Sequence, residues 1–187
     1  MYRQNLKDEY YTRKSKQDHY PARSIYKLQG IDQKFGLIRK NDKILDLGCA
    51  PGSWLLYAAK KGEVLGIDSV DLKIVLPPSA KFIRHDVMSF TTDDKFNVII
   101  SDLSPNTSGD HFVDVANSIE LCERCLEIAK NSLKKNGNFL CKIFEGEGIN
   151  EFFKKVAQSF KLAKRYKPMA SRKESREIYI VGIKFNG

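Results

Sequence analysis

The sequence predicts an α/β fold in which helices cover both faces of a parallel sheet. From Lys43 onward, short apolar segments of strand length alternate with longer segments of helical periodicity. The chain has 187 residues, of which 42% are hydrophobic, enough for one sizeable core. We therefore predict a single domain over residues 1–187, with a basic helical extension over 1–40. No apolar run approaches the ~20 residues of a membrane span.

The first element with a clear pattern is a helix that ends before the alternation begins. Ile25, Leu28, Ile31 and Phe35 fall on one helical face. Gly36 follows directly, and glycine is the residue that most often ends a helix.

The remaining elements follow in alternating order. Predicted strands cover residues 44–47, 64–67, 81–84, 96–100, 138–143 and 178–183, and residues 161–165 are compatible with one more. Predicted helices cover residues 54–61, 113–133 and 149–160, and a turn at 134–137 closes the second of these. Sheets of this kind bind ligands at the carboxyl ends of their strands, so polar residues there are the candidates for function.

A glycine-rich turn follows the first strand. Gly48 and Gly52 let the backbone bend tightly and approach a ligand, and a helix begins directly after them. Asp68 ends the second strand, where a carboxylate can accept hydrogen bonds from ribose hydroxyls, and Asp86 and Asp102 end the third and fourth. Carboxylates at three successive strand ends predict a nucleotide-like ligand.

The turn disfavours a dinucleotide. Dinucleotide binding prefers G-x-G-x-x-G, whereas this turn has glycines at 48 and 52 with Pro51 between them. Proline has no N–H to offer a pyrophosphate. The pattern instead suits an adenosine ligand without phosphates.

The net charge of +9 is unevenly distributed. Residues 1–43 carry +6, residues 44–152 carry −5 and residues 153–187 carry +8. Two basic flanks around a ligand-site-like middle predict a polyanionic partner. We expect phosphate contacts from basic residues in these flanks. They are Arg23, Lys154, Lys155, Lys164, Arg165, Lys167, Arg172 and Lys173.

The four cysteines do not suggest a metal site. Cys122 and Cys125 form a C-x-x-C pair inside a helical pattern, without a second pair or zinc-spaced histidines, so we predict helical packing and no metal. Free thiols and the absence of an apolar leader at the start favour a cytoplasmic or organellar protein, mitochondria included, over a secreted one.

Five motifs, in order along nearly the whole chain, resemble the FtsJ/RrmJ (RlmE) family of ribosomal RNA ribose 2′-O-methyltransferases. They are Ala22-Arg-Ser-Ile-Tyr-Lys-Leu, Asp46-Leu-Gly-Cys-Ala-Pro-Gly-Ser-Trp, Ser101-Asp-Leu-Ser-Pro-Asn-Thr-Ser-Gly, Lys142-Ile-Phe-Glu-Gly-Glu-Gly and Ser175-Arg-Glu-Ile-Tyr. The resemblance implies a Rossmann-like seven-stranded methyltransferase sheet, mostly parallel with the last strand antiparallel. Residues 69–101 leave little room for the helix that the family places before the fourth strand.

The resemblance also implies the cofactor and the site residues. The implied methyl donor is S-adenosylmethionine. Its implied pocket comprises Gly48, Pro51, Gly52, Trp54, Asp68, Asp86, Val87 and Asp102. The implied catalytic residues are Lys27, Asp102, Lys142 and Glu177. Lys142 is the candidate base, because a neighbouring cation such as Lys27 would lower its pKa.

The sequence leaves the substrate and several rival functions open. Asn106 and the run after Phe144 favour the branch that methylates a uridine in large-subunit ribosomal RNA, whereas Ser53 is more typical of the tRNA anticodon-loop branch. A catalytically silent RNA-binding domain, a base or cap methyltransferase and a nicotinamide enzyme are the rival functions. We expect a monomer that binds ribosomal RNA or a ribosomal subunit, and no membrane.

Overall fold

The computed structural model describes residues 2–172 and 174–187, with side chains from residue 8 onward. The helices are α1 Tyr2–Gln17, α2 Ile25–Phe35, α3 Ser53–Ala59, α4 His111–Ser132 and α5 Ile149–Ser159. The strands are β1 Lys43–Leu47, β2 Glu63–Asp68, β3 Ala80–Arg84, β4 Phe96–Ser101, β5 Leu133–Phe144, β6 Phe160–Tyr166 and β7 Glu177–Phe185. No helix among these residues is both long and apolar enough to cross a membrane.

The sheet has seven strands in the order β3-β2-β1-β4-β5-β7-β6. Strands β1 to β5 are parallel to one another, and β7 lies antiparallel between β5 and β6. The predicted fold class is confirmed, including the antiparallel last strand. The segment at 161–165 does form a strand, at the edge of the sheet.

Helices cover both faces of the sheet. One core contains Leu28 and Ile31 of α2 together with Trp54 and Leu55 of α3. The core on the other face contains apolar residues of α4 and α5, with Cys122 and Cys125 fully packed inside it. The prediction that these two cysteines serve helical packing agrees with their burial.

The connection between β3 and β4 is short and contains no helix. Residues 85–95 contain one turn, at 87–89, and the buried side chains of Val87 and Phe90 pack in the core there. The segment is rich in aspartate and threonine, which are weak helix formers. The shortening expected from the sequence is therefore confirmed.

Of two predicted element ends, one is confirmed and one differs. α2 ends as expected, at Gly36, which has a φ of +60° and donates its N–H to the Asp32 carbonyl at 2.8 Å. In contrast, β5 begins at Leu133, so the predicted turn at 134–137 lies inside the strand. The register with β4 shifts there, and Asn136 has a φ of +63°. The turn chemistry produced a bulge in the strand.

Candidate active site

Four charged side chains meet at the carboxyl edge of the sheet. The Lys27 ammonium on α2 lies 2.5 Å from Glu177 Oε2 at the start of β7. The Lys142 ammonium near the end of β5 lies 3.9 Å from Glu177 Oε1 and 3.3 Å from Asp102 Oδ1. It also donates to the Asp102 carbonyl oxygen at 2.7 Å. The structure thus brings all four predicted catalytic residues into one cluster.

Lys27 reaches this cluster because the start of α2 is anchored to α3. Ser53 Oγ accepts a hydrogen bond from the Ala22 amide at 2.7 Å and donates one to the Ala22 carbonyl at 3.1 Å. Trp54 Nε1 donates to the Ser24 carbonyl at 2.9 Å. These contacts fix the chain just before the helix, and the helical turn then directs Lys27 toward β7.

The cluster is largely desolvated, which strengthens its electrostatics. Lys27 is 9% exposed and Lys142 is 7% exposed. Burial alone would raise the pKa of Glu177, but the Lys27 and Lys142 cations hold that pKa below its usual value. Glu177 is therefore an anion shared by two ammonium groups.

Tyr179 completes the cluster and was missed from the sequence. Its hydroxyl donates to Asp102 Oδ1 at 2.8 Å, and the residue lies directly opposite Lys142 in the sheet register. Burial raises the pKa of Tyr179 well above its usual value, with the Asp102 and Glu177 charges adding to the effect, so it stays a donor. The signal was available, because alternate residues of a strand share a face and Glu177 is two positions away.

The glycine-rich turn lies beside the same edge. Gly52 has a φ of +109°, which side chains rarely adopt, and it immediately precedes α3. A Cβ at Gly52 would lie 2.3 Å from Ile74 Cδ1, and one at Gly48 would lie 2.4 Å from Leu103 Cδ2. Ile74 and Leu103 are therefore apolar walls beside these glycines. Pro51 is exposed at the tip of the turn.

Three carboxylates face one another across the turn. Asp68 accepts hydrogen bonds from the Ala50 and Val70 amides at 2.8 and 2.9 Å, which fix its position. Asp46 is fully buried, and neither of its oxygens has a hydrogen-bond partner. Burial raises its pKa well above the usual value, and the charges of Asp102 and Asp68 add to this. Asp46 was also missed from the sequence, although a carboxylate inside an apolar strand is itself unusual.

These observations fit a ligand that carries positive charge and hydroxyl groups. Unpaired buried acceptors call for donors, and a backbone cradle at Gly52 has no room for a side chain. S-adenosylmethionine offers an ammonium, a sulfonium and ribose hydroxyls. The residues present therefore fit that group.

Of three other predicted pocket residues, one is exposed and two have buried side chains. Asp86 is exposed just beyond β3, and its carboxylate accepts only the Met88 amide, at 2.9 Å, among described partners. The side chains of Trp54 and Val87 are 2% and 4% exposed and pack in the two cores. Only the backbones of those two residues remain to contact a ligand.

The basic residues expected to contact phosphate divide between the two faces of the sheet. Arg23 and Arg172 both pair with Asp8 of α1, at 2.6 and 2.5 Å. Lys154 and Lys155 lie on α5, across the sheet, where Lys155 pairs with Glu123. Lys164, Arg165 and Lys167 are exposed. Lys173 lies outside the described residues.

The strand order, with the last strand inserted antiparallel, is that of the Rossmann-like methyltransferases. The model of the FtsJ-like methyltransferases matches residues 20–185, and this chain belongs to that family. A relative named ribosomal RNA large subunit methyltransferase E, from Desulfatibacillum aliphaticivorans, is 42% identical over 95% of this chain and 91% of its own. Its namesake from Bdellovibrio bacteriovorus is 38% identical over 96% of this chain and 97% of its own.

Solved structures agree with the family. A candidate ribosomal RNA methyltransferase from Plasmodium falciparum superposes with a TM-score of 0.79 at 28% identity, covering 90% of this chain and all of that one. A second structure, from Clostridium thermocellum, has a TM-score of 0.60 at 19% identity and supports the fold. The chain is therefore an RNA methyltransferase-family enzyme by sequence and by fold.

Proposed function

We propose that this enzyme transfers a methyl group from S-adenosylmethionine to a ribose 2′-hydroxyl of RNA, at a uridine of large-subunit ribosomal RNA. The observation that carries the proposal is the position of two buried amines, Lys27 and Lys142, on one Glu177 carboxylate. The names of the relatives support the choice of ribosomal RNA.

The methyl donor would lie over the glycine-rich turn. Asp68 and Asp86 would accept hydrogen bonds from its ribose hydroxyls, with Gly48, Pro51, Gly52 and the backbones of Trp54 and Val87 around it. Asp102 would offset its positive charge. When bound, the sulfonium supplies an already activated methyl group, so the protein needs only to align and deprotonate the attacking oxygen.

Lys142 would remove that proton. In its neutral form the amine accepts the proton of the 2′-hydroxyl as the oxygen attacks. Asp102 and Glu177 hold the two amines in place through the contacts described above.

Replacement of Lys142 by alanine tests this assignment. Lys142→Ala should lower methyl transfer to RNA by about 10²–10⁴-fold, the usual contribution of a general base. Affinity for S-adenosylmethionine, measured by calorimetry, should change less than about twofold, since the donor is held elsewhere. Lys130→Ala, at an exposed lysine of α4, is the control. Equal losses of affinity and transfer would contradict the role of Lys142 as base, and donor binding without transfer in the wild type would favour a silent RNA-binding domain.

The RNA itself is identified by mapping the product. Ribosomal RNA and tRNA are incubated with enzyme and donor, and 2′-O-methyl groups are located by alkaline-cleavage sequencing. We expect a mark in large-subunit ribosomal RNA. A mark in a tRNA anticodon loop would support the tRNA branch. Ser53, the residue more typical of the tRNA branch, contacts Ala22 through its hydroxyl.

A further inference from the structure

An aromatic and basic groove lies on the outer side of α2, apart from the cluster at the sheet edge. It has a volume of about 490 Å³ and is formed by α1, α2 and residues 166–170. Tyr11 and Tyr166 supply partly exposed aromatic surface, with buried Tyr26 beneath them, and Lys14 and Lys34 supply positive charge. We call this the tyrosine–lysine groove. It is where the two basic flanks of the sequence meet.

The ammonium groups of the two lysines in the groove contact tyrosine rings and not carboxylates. Lys14 Nζ is 5.0 Å from the Tyr26 ring centre, and Lys34 Nζ is 4.4 Å from the Tyr166 ring centre. Within residues 8–172 and 174–187 neither lysine forms an ion pair. The described lining contains no aspartate or glutamate. Both charges therefore remain available to an anion.

The remaining lining suits a flat polar ring. Gln29 and Gln33 present amide donors and acceptors, and a Cβ at Gly30 would meet nothing within 4 Å, so the floor of the groove is open. Met169 is 79% exposed at the rim and offers a polarisable apolar surface. Aromatic faces combined with cations are the usual means of holding single-stranded nucleic acid without reading its sequence.

The groove also lies next to the catalytic cluster along one helix. Tyr26 directly precedes Lys27, and Lys34 is seven residues further on, roughly 10 Å along the axis at 1.5 Å per residue. The groove therefore runs along the same helix that carries Lys27. Basic residues elsewhere, such as those on α5, have no such connection.

We propose that the tyrosine–lysine groove binds an unpaired segment of the RNA substrate next to the methylated nucleotide, stacking a base on its tyrosines and pairing a phosphate with Lys14 and Lys34. The proposal rests on the proposed function for the identity of the RNA. It goes beyond it by assigning a binding site outside the reaction centre. Recognition there is of strandedness, not of sequence.

Charge reversal in the groove, with a matched control, tests the phosphate contact. Binding of a fluorescent single-stranded RNA dodecamer is measured by anisotropy with Lys34→Glu and with Lys81→Glu. Lys81 is an exposed lysine of β3, at the opposite edge of the sheet, and its reversal changes net charge equally. We expect Lys34→Glu to weaken binding roughly tenfold and Lys81→Glu less than about twofold. Equal weakening would overturn the site.

A second comparison tests stacking. The same dodecamer is prepared with abasic residues, and the affinities of the wild type and of Tyr166→Leu are measured for both RNAs. The fold of Tyr166→Leu is first checked by circular dichroism. Loss of a stacking ring should weaken binding of the intact RNA roughly tenfold and leave the affinity for the abasic RNA unchanged. Equal losses of affinity for the intact and the abasic RNA would overturn the proposal, because charge alone would then be recognised. Competition by a poly-glutamate peptide as strong as competition by unlabelled RNA would overturn it for the same reason. If Tyr166→Leu does not fold, the Lys34→Glu comparison decides.

These measurements need no methyl donor, so they separate the two proposals. If the protein binds RNA in the groove but transfers no methyl group, the proposed function is wrong and the groove proposal stands. If the protein methylates RNA but Lys34→Glu and Lys81→Glu weaken RNA binding equally, the proposed function stands and the groove proposal is wrong.

Discussion

Glu177 illustrates how single residues acquire their role from their neighbours. Its carboxylate contacts two lysines, and removing it would leave two buried cations without their shared partner. Breaking a charge pair in this way costs more than the pair itself contributes, because the remaining charge stays desolvated. Tyr179 and Asp46 act at the same scale, as polar groups whose burial sets what they can bind.

Glu177→Gln should therefore destabilise the protein in a pH-dependent way. The two lysines hold the native pKa of Glu177 below its usual value, so its charge stabilises the fold at neutral pH, and this stabilisation is lost as pH falls through the native pKa. We expect a cost of about 1–2 kcal/mol at pH 7, a modest figure because the side chain is partly exposed. The difference from wild type should shrink at acidic pH in urea unfolding experiments. A difference that grows on acidification would refute the lysine contacts.

At the scale of elements, the close contact between α3 and the sheet sets the position of α2, the helix that carries Lys27. α3 rests on β2 where Gly66 leaves room, and α2 is tied to α3 through Ser53 and Trp54. A change between α3 and β2 is therefore transmitted to Lys27. The insertion of β7 beside β5 acts similarly, because it sets Tyr179 opposite Lys142.

Two glycine substitutions should have opposite effects on stability. A Cβ at Gly66 would lie 2.3 Å from Leu55 Cδ1 and 2.7 Å from Cys49 Sγ, so Gly66→Ala should destabilise by about 1–3 kcal/mol through overpacking. Gly30 lies inside α2 with open space around it, so Gly30→Ala should stabilise by about 0.5–1 kcal/mol. Urea midpoints measure both changes. A neutral Gly66→Ala would contradict the tight contact between α3 and β2.

At the scale of the whole molecule, the charge distribution prepares the protein for a polyanion. The basic flanks are far apart in sequence, yet Asp8 of α1 pairs with Arg172 near the other end of the chain. The flanks thus form one surface beside α2, while the lysines of α5 lie on the other face of the sheet. The acidic middle of the sequence supplies the carboxylates around the glycine-rich turn.

RNA affinity should accordingly fall with salt. Each phosphate neutralised by a lysine or arginine releases counterions, so the logarithm of the association constant should fall with the logarithm of salt concentration at about −0.7 per single-strand contact. Between about 50 and 200 mM KCl we expect a loss of roughly tenfold or more, measured by anisotropy. A flat response would show that the basic flanks do not contact RNA.

The sequence by itself determined the order of helices and strands, the end of α2 at Gly36 and the carboxylates at strand ends, because periodicity and turn chemistry act over a few residues. Motif resemblance added the four catalytic candidates. Only the tertiary structure decided what touches what. Lys27 and Glu177 are separated by 150 residues, and their contact depends on β7 entering the sheet beside β5. Strand order and register are set by packing of the whole chain, which no local pattern contains.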